Sequence, residues 1–170
     1  MVYDPQKHRR RSIRLKGYDY SQAGAYFVTI CTQNRESLLG EIVGGEMILN
    51  AYGRVVAVCW VWLAKQYPYV ELDEWVMMPN HAHGIVILSG GRGGSRTAPT
   101  KSLGRLVGAF KTVSTKRINQ MRHTPGAAVW QRNYYEHIIR NEDELNRLRQ
   151  YILDNPVQWE MDENNPNRLL

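Results

Sequence analysis

Cysteine is scarce. Of 170 residues only Cys31 and Cys59 carry a thiol, which excludes a disulfide framework, and neither sits in a CxxC or Cys/His cluster, which excludes a structural zinc finger. Long apolar runs are missing too. The longest, VVAVCWVWLA from Val55 to Ala64, is about half of what a bilayer span needs, and the Arg-rich start MVYDPQKHRRRSIR leads into no signal-peptide stretch. Membrane insertion and secretion are thereby set aside, and reduced thiols in the cytoplasm are the expected setting. No internal repeat is visible. Positive charge is what the chain has in excess: 22 Lys and Arg against 16 Asp and Glu leave +6, a balance that favours an anionic partner, nucleic acid first. With 43 % hydrophobic residues the length suits one domain with its own core.

The chain opens on a basic arm, residues 1–24, that carries Arg9, Arg10, Arg11, Arg14 and Lys16. AYFVTICT, Ala25 to Thr32, is β-branched and aromatic and reads as a buried strand. Asn50 then offers an N-cap to a helix of about four turns, whose apolar positions Val55, Val56, Val58, Cys59, Trp62 and Leu63 recur until Pro68. Leu72 to Met78 and His81 to Leu88 read as two strands joined by a tight turn at Pro79-Asn80, and short hairpin elements fit between Leu38 and Ile48. SGGRGGSRTAPTK, residues 89–101, is Gly-rich and basic and is expected to be a mobile loop.

A second helix follows on Leu103, Leu106, Val107, Phe110, Val113 and Ile118, with its other faces basic. YYEHIIR, Tyr134 to Arg140, supplies a fourth main strand. Asn141 with Glu144 three residues on opens a last helix that stops near Asn155-Pro156. The order β-α-β-β-α-β plus one helix predicts an α+β, ferredoxin-like antiparallel sheet with two helices on one face and an extra C-terminal helix. The domain is expected to span residues 25–160, with an irregular tail at 161–170. That scaffold serves many functions, so the function has to be read from side chains.

His81 and His83 flank one residue at the start of a strand, where a period of two sends both imidazoles to one face. Two nitrogens are then placed to share a metal ion, although histidines that merely hydrogen-bond fit the same pattern. In YILDNP, Tyr151 and Asn155 are four residues apart and project from one helical face. The Asn155 amide oxygen is a hard neutral ligand that, with two imidazoles, leaves open positions on Mg²⁺ or Mn²⁺ for phosphate oxygens and water. The plainer alternative makes Asn155 a helix-terminal residue and Tyr151 an edge aromatic. Chemistry that uses all four groups is phosphodiester transesterification, with the phosphate transferred to the Tyr151 hydroxyl and then rejoined to another DNA end.

The strings YFVTICTQNR, ELDEWVMMPNHAHGIVIL, GRLVGAFKTVSTKRIN, WQRNYYEHIIRN and LRQYILDNPVQW together resemble the single-tyrosine HUH transposases, in particular the REP-associated tyrosine transposases. The resemblance runs from Tyr26 to about Trp159. It implies a metal-dependent nuclease and strand transferase that binds DNA hairpins formed by palindromes and cuts adjacent single strands. It further implies that His81, His83 and Asn155 hold the metal and that Tyr151 is the nucleophile, leaving a 5′-phosphotyrosine and a free 3′-OH. Tyr134 and Tyr135 are rival nucleophiles, but they lie in a strand without an amide partner at helical spacing. His137 is a spare ligand or a strand histidine satisfied by hydrogen bonds.

DNA contacts are expected from Arg11, Arg14 and Lys16 of the arm, Arg92 and Arg96 of the loop, Lys111, Lys116 and Arg117 of the second helix, and Arg132 near the active face. Each is equally readable as a solvated side chain. Two other classes keep part of the reading: a non-catalytic hairpin DNA- or RNA-binding module, and a small-molecule metalloenzyme built on the histidine pair. A monomer with its tyrosine over its own histidines and a homodimer that exchanges the helix are both open. The tail either covers the site or is idle.

Overall fold

In the computed structural model the described residues are 23–89 and 101–168. The basic arm with Arg11, Arg14 and Lys16, and Arg92 and Arg96 of the glycine-rich segment, lie outside them. Four strands form the main sheet: β1 (Gly24–Cys31), β4 (Val70–Met77), β5 (His81–Leu88) and β6 (Tyr135–Ile139), in the order β4-β5-β1-β6. Every neighbouring pair is antiparallel. Between β1 and the first helix, β2 (Gly40–Val43) and β3 (Glu46–Leu49) make a separate two-stranded hairpin. This is the expected ferredoxin-like α+β arrangement, with the hairpin as an insertion.

Alternation along the central strand decides what lies on each face. Tyr26, Val28 and Ile30 of β1 point to one side and are fully buried. There they meet Val56, Cys59, Trp60 and Leu63 of α1 (Ala51–Gln66) and Leu106, Val107 and Phe110 of α2 (Leu103–Arg122). Phe27 points the other way and packs with Ile85 against Ile152 of α3 (Glu142–Asp154), flanked by Leu145 and Leu148. Because β1 pairs Thr29 with His83 and Cys31 with His81, the same parity sends both histidines to the α3 face.

Asn50 caps α1 twice over: its Oδ1 accepts from Gly53 N at 2.9 Å and its Nδ2 donates to Leu38 O at 2.8 Å. The second bond ties the helix to the chain entering β2. Gly84, beside the histidines, is forced by the opposite layer, since a Cβ there would lie 2.3 Å from Cζ2 of Trp60. Gly84→Ala is therefore expected to displace the indole and cost about 3 kcal/mol, read as a lower midpoint in chemical denaturation.

The closing helix is fastened at both ends. Asn141 Oδ1 accepts from Glu144 N at 2.8 Å, and Glu144 Oε2 accepts from Arg140 N at 2.8 Å, a capping box displaced by one residue. Glu144 also bonds Nε2 of His137 across to β6, and His137 is not among the residues grouped around His81 and His83 that could hold an ion. Further along, Arg149 grips Asp73 in a forked pair, Nε to Oδ1 at 2.8 Å and Nη2 to Oδ2 at 2.7 Å. Asp73 sits where the β4–β5 register breaks between Leu72 and Trp75, so an irregularity in the edge strand receives the helix. The Arg149 guanidinium holds the Asp73 carboxyl below its usual range. Asp73→Asn should loosen α3 without unfolding the sheet, visible as faster amide exchange confined to residues 142–154.

Candidate active site

At the start of β5 the two imidazoles are buried and face each other, with Nε2 of His81 and Nε2 of His83 at 3.0 Å. What surrounds them fixes the proton of His81. Both amino hydrogens of Asn80 are committed, to Arg35 O at 3.2 Å and to Asn164 O at 2.7 Å. Its Oδ1 is thereby turned to Nδ1 of His81 at 2.8 Å, and His81 must donate there. On the other ring, Thr29 Oγ1 lies 2.8 Å from Nδ1 of His83. With its hydrogen on Nδ1, His81 turns a bare Nε2 lone pair toward Nε2 of His83, where either a shared cation or a hydrogen on the His83 Nε2 satisfies it.

Burial holds both rings neutral. His81 is pushed down to about 4 by burial, partly offset by the Asp162 carboxylate, and His83 is driven well below its ordinary value by burial and by its neighbour His81. Neutral imidazole is the ligand form. The sign for the metal-free protein follows: the unfolded chain takes up protons below about pH 6.5 while buried His81 resists until about 4. Stability is then unaffected above about 6.5 and falls by about 3 kcal/mol for His81 as pH drops to about 4. Urea midpoints measured from pH 7.5 to 4 check this.

The remaining groups arrive from α3 and beyond it. Tyr151 is 42 % exposed, and its ring lies 5.3 Å from that of His83 and 6.0 Å from that of Phe27. Burial of part of the phenol raises its pKa, with Asn155 opposing and the Asp162 and Glu163 carboxylates adding to the rise, so the hydroxyl keeps its proton at neutral pH. Asn155, the C-cap of α3, stands near enough to His81 and Tyr151 to bear on both, yet its Oδ1 is buried with no hydrogen bond among the described residues. A buried carbonyl oxygen without a donor, close to a neutral imidazole, has the chemistry of a cation ligand.

Sequence reasoning missed Asp162. Its Oδ2 lies 3.7 Å from His81 Nε2, and His81, His83 and Asp162 form a group able to hold a metal ion. Asp162 follows a single 3₁₀ turn, Trp159–Met161, in which Trp159 stacks on the His81 ring at 6.1 Å. No periodicity singles out one acid among Glu160, Asp162 and Glu163 after a proline-terminated helix, so nothing in the sequence pointed to it. The tail lies against the site instead of away from it, since Asn164 reaches Asn80 and Glu163 O accepts from Nη1 of Arg35 at 3.1 Å. Replacing the two residues behind the imidazoles, Asn80→Ala or Thr29→Val, should weaken divalent-ion affinity about 10- to 100-fold, measured by titration calorimetry.

The rival tyrosines are placed differently. Tyr134 donates to Glu136 Oε2 at 2.6 Å, and Tyr135, on β6, touches Phe27 edge-on at 6.3 Å. Of the basic residues, Lys111 is engaged internally: its Nζ donates to the carbonyls of Gln131 at 2.8 Å, Arg132 at 3.4 Å and Asn133 at 3.1 Å. Lys116 and Arg132 are exposed on one groove between α2 and the 123–132 segment, whereas Arg117 lies beside Cys59 of α1 and lines a different groove. Among the described residues no helix is long and apolar enough to cross a membrane.

An antiparallel α+β sheet with a buried histidine pair facing a helix-borne tyrosine defines a class, and comparison with known proteins agrees. The chain belongs to the family of IS200-like transposases, whose model matches residues 21–155. It is 39 % identical over 174 residues to an uncharacterized protein of Haemophilus influenzae, covering 95 % of this chain and 96 % of that one. It is also 26 % identical over 140 residues to a REP-associated tyrosine transposase of Escherichia coli K12, covering 82 % of this chain and 70 % of the other. The solved structure of a REP-associated tyrosine transposase bound to a REP hairpin superposes with a TM-score of 0.63 at 22 % identity, covering 86 % and 73 %.

Proposed function

We propose that this protein is a single-stranded DNA endonuclease and strand transferase that works beside a DNA hairpin through a covalent phosphotyrosine. The observation that carries this reading is the meeting of His81, His83, Asn155 and Tyr151 on one sheet face of one chain. His81, His83 and Asn155, with Asp162 as a further donor, would hold a divalent ion, Mg²⁺ or Mn²⁺ by the hardness of the oxygen donors. When bound, that ion supplies charge stabilisation at the scissile phosphate.

The chain's own residues do the rest. Tyr151 Oη attacks phosphorus, the P–O3′ bond breaks, and the phenol proton is lost as the departing 3′ oxygen gains one. The products are a 5′-phosphotyrosine and a 3′-OH, and because the bond is conserved a second 3′-OH reverses the step and joins strands. Since the phenol's pKa is raised, its protonated form predominates and the proton leaves in the course of attack. Asn80 keeps the His81 Nε2 lone pair turned inward, Thr29 holds the His83 ring by its Nδ1, and α3, pinned by Arg149 to Asp73, keeps Tyr151 above them. Since one chain brings all these groups together, we read it as complete without helix exchange.

Incubation with a labelled hairpin bearing a single-stranded flank and Mn²⁺ or Mg²⁺ tests the proposal through a denaturation-resistant adduct, mapped by peptide mass to Tyr151. Binding without an adduct under any divalent ion returns the protein to the non-catalytic hairpin module. Basic groups spread over Lys116, Arg132 and the segments outside the described residues should also make hairpin affinity strongly salt-dependent. A loss of about 10³-fold between 50 and 200 mM salt is expected from the release of several counterions, measured by fluorescence anisotropy.

A further inference from the structure

Next to the histidines lies a cleft of about 720 Å³ between β6 and α3, within the roughly 300–1,000 Å³ range of small-ligand sites. Its lining is informative by chemical type. Phe27, Tyr135 and Tyr151 give it aromatic walls, and Gln131 and Asn133 add carboxamides that have no side-chain hydrogen bond among the described residues. No Lys or Arg side chain lines it, and Glu163 is its one carboxylate among the described residues. The neighbouring groove of about 1020 Å³ has the opposite character, with Lys116, His123 and Arg132 and no carboxylate. Gln131 borders both. Phosphate oxygens prefer the second surface, and a flat aromatic heterocycle with hydrogen-bonding edges fits the first.

We infer that this cleft seats one unpaired nucleobase flanking the linkage that Tyr151 attacks, with Tyr135 as the stacking face and the Gln131 and Asn133 carboxamides bonding the base edge. The inference rests on the proposed DNA chemistry and adds the residues that select sequence at the cut. Tyr135 is 41 % exposed and its ring is braced edge-on by Phe27, so a face is presented to the cleft and the ring does not collapse into it. A carboxamide offers both donor and acceptor, which is how Asn and Gln tell one base edge from another.

Lys111 is the positioning residue for this wall. Its three ammonium hydrogens go to three consecutive carbonyls, those of Gln131, Arg132 and Asn133, which ties the segment to α2 and fixes where the two carboxamides start. Burial, which lowers its pKa to about 8, accords with a lysine spent inside the protein. The residue therefore influences DNA through the wall and not through its own charge.

The test uses full-length Tyr151→Phe protein, which binds without cutting, and hairpin oligonucleotides carrying 2-aminopurine at one unpaired position at a time. One position beside the cut should be quenched severalfold on binding. Adding Tyr135→Ala should abolish that quenching and weaken binding about tenfold, while an oligonucleotide abasic at that position binds both proteins equally. In otherwise unaltered protein, Asn133→Asp should change which base is preferred at that position only, and Lys111→Met should flatten the preference there only. Position-specific quenching that survives Tyr135→Ala, or binding and adducts with no such position at all, overturns the pocket and leaves the nuclease reading standing. Absence of hairpin binding overturns both.

Discussion

Tyr151→Phe eliminates the covalent protein–DNA adduct and leaves hairpin affinity within about twofold. Loss of a nucleophile removes an entire covalent pathway, and such losses run on the order of a millionfold in turnover. Binding is spared because the ring is lodged by Phe27 and His83, and phenylalanine keeps that lodging. Adduct yield on denaturing gels and anisotropy on the same samples separate the two effects. Adducts that persist in Tyr151→Phe and disappear in Tyr135→Phe or Tyr134→Phe would falsify the assignment.

Removing the imidazoles has the next largest effect. The pair His81→Ala/His83→Ala should abolish adduct formation at every Mn²⁺ or Mg²⁺ concentration, with a loss of at least about 10³-fold, because phosphate charge then meets no cation during attack. Each ring is also a packing element, His83 stacked on Phe27 at 5.4 Å and His81 against Trp159, so part of any stability loss comes from the hole they leave. His81→Gln keeps volume and a donor toward Asn80, and it should retain the fold while losing divalent-ion affinity. Calorimetric titration with Mn²⁺ checks this independently of cleavage. A double variant that still forms adducts would place the ion elsewhere.

Most of the architecture was legible because it depends on short-range pattern. The alternation in Ala25 to Thr32, the cap at Asn50, the Pro79-Asn80 turn and the stop at Pro156 all appear where local chemistry puts them. The histidine pair and the tyrosine were legible for the same reason, since strand parity and helical spacing fix which face each side chain takes. Groups recruited from far along the chain left no trace. Asp73 and Arg149 are 76 residues apart, and no periodicity announces that they meet. Lys111 shows the complementary failure: its charge was legible but not its three internal acceptors, because a sequence displays the ammonium and not the carbonyls that face it. Asp162 combines both, being distant in order and surrounded by unpatterned polar residues.

Asn80 has a consequence for handling the molecule. Its orientation is set jointly by Arg35 and Asn164, segments separated by most of the chain, and it dictates which nitrogen of His81 carries hydrogen. A protein trimmed just before Asp162 would free one arm of that carboxamide to rotate, letting its NH₂ meet Nδ1 and shifting the imidazole to its other tautomer. Such a shortened protein would retain every sheet residue and yet present a differently wired centre.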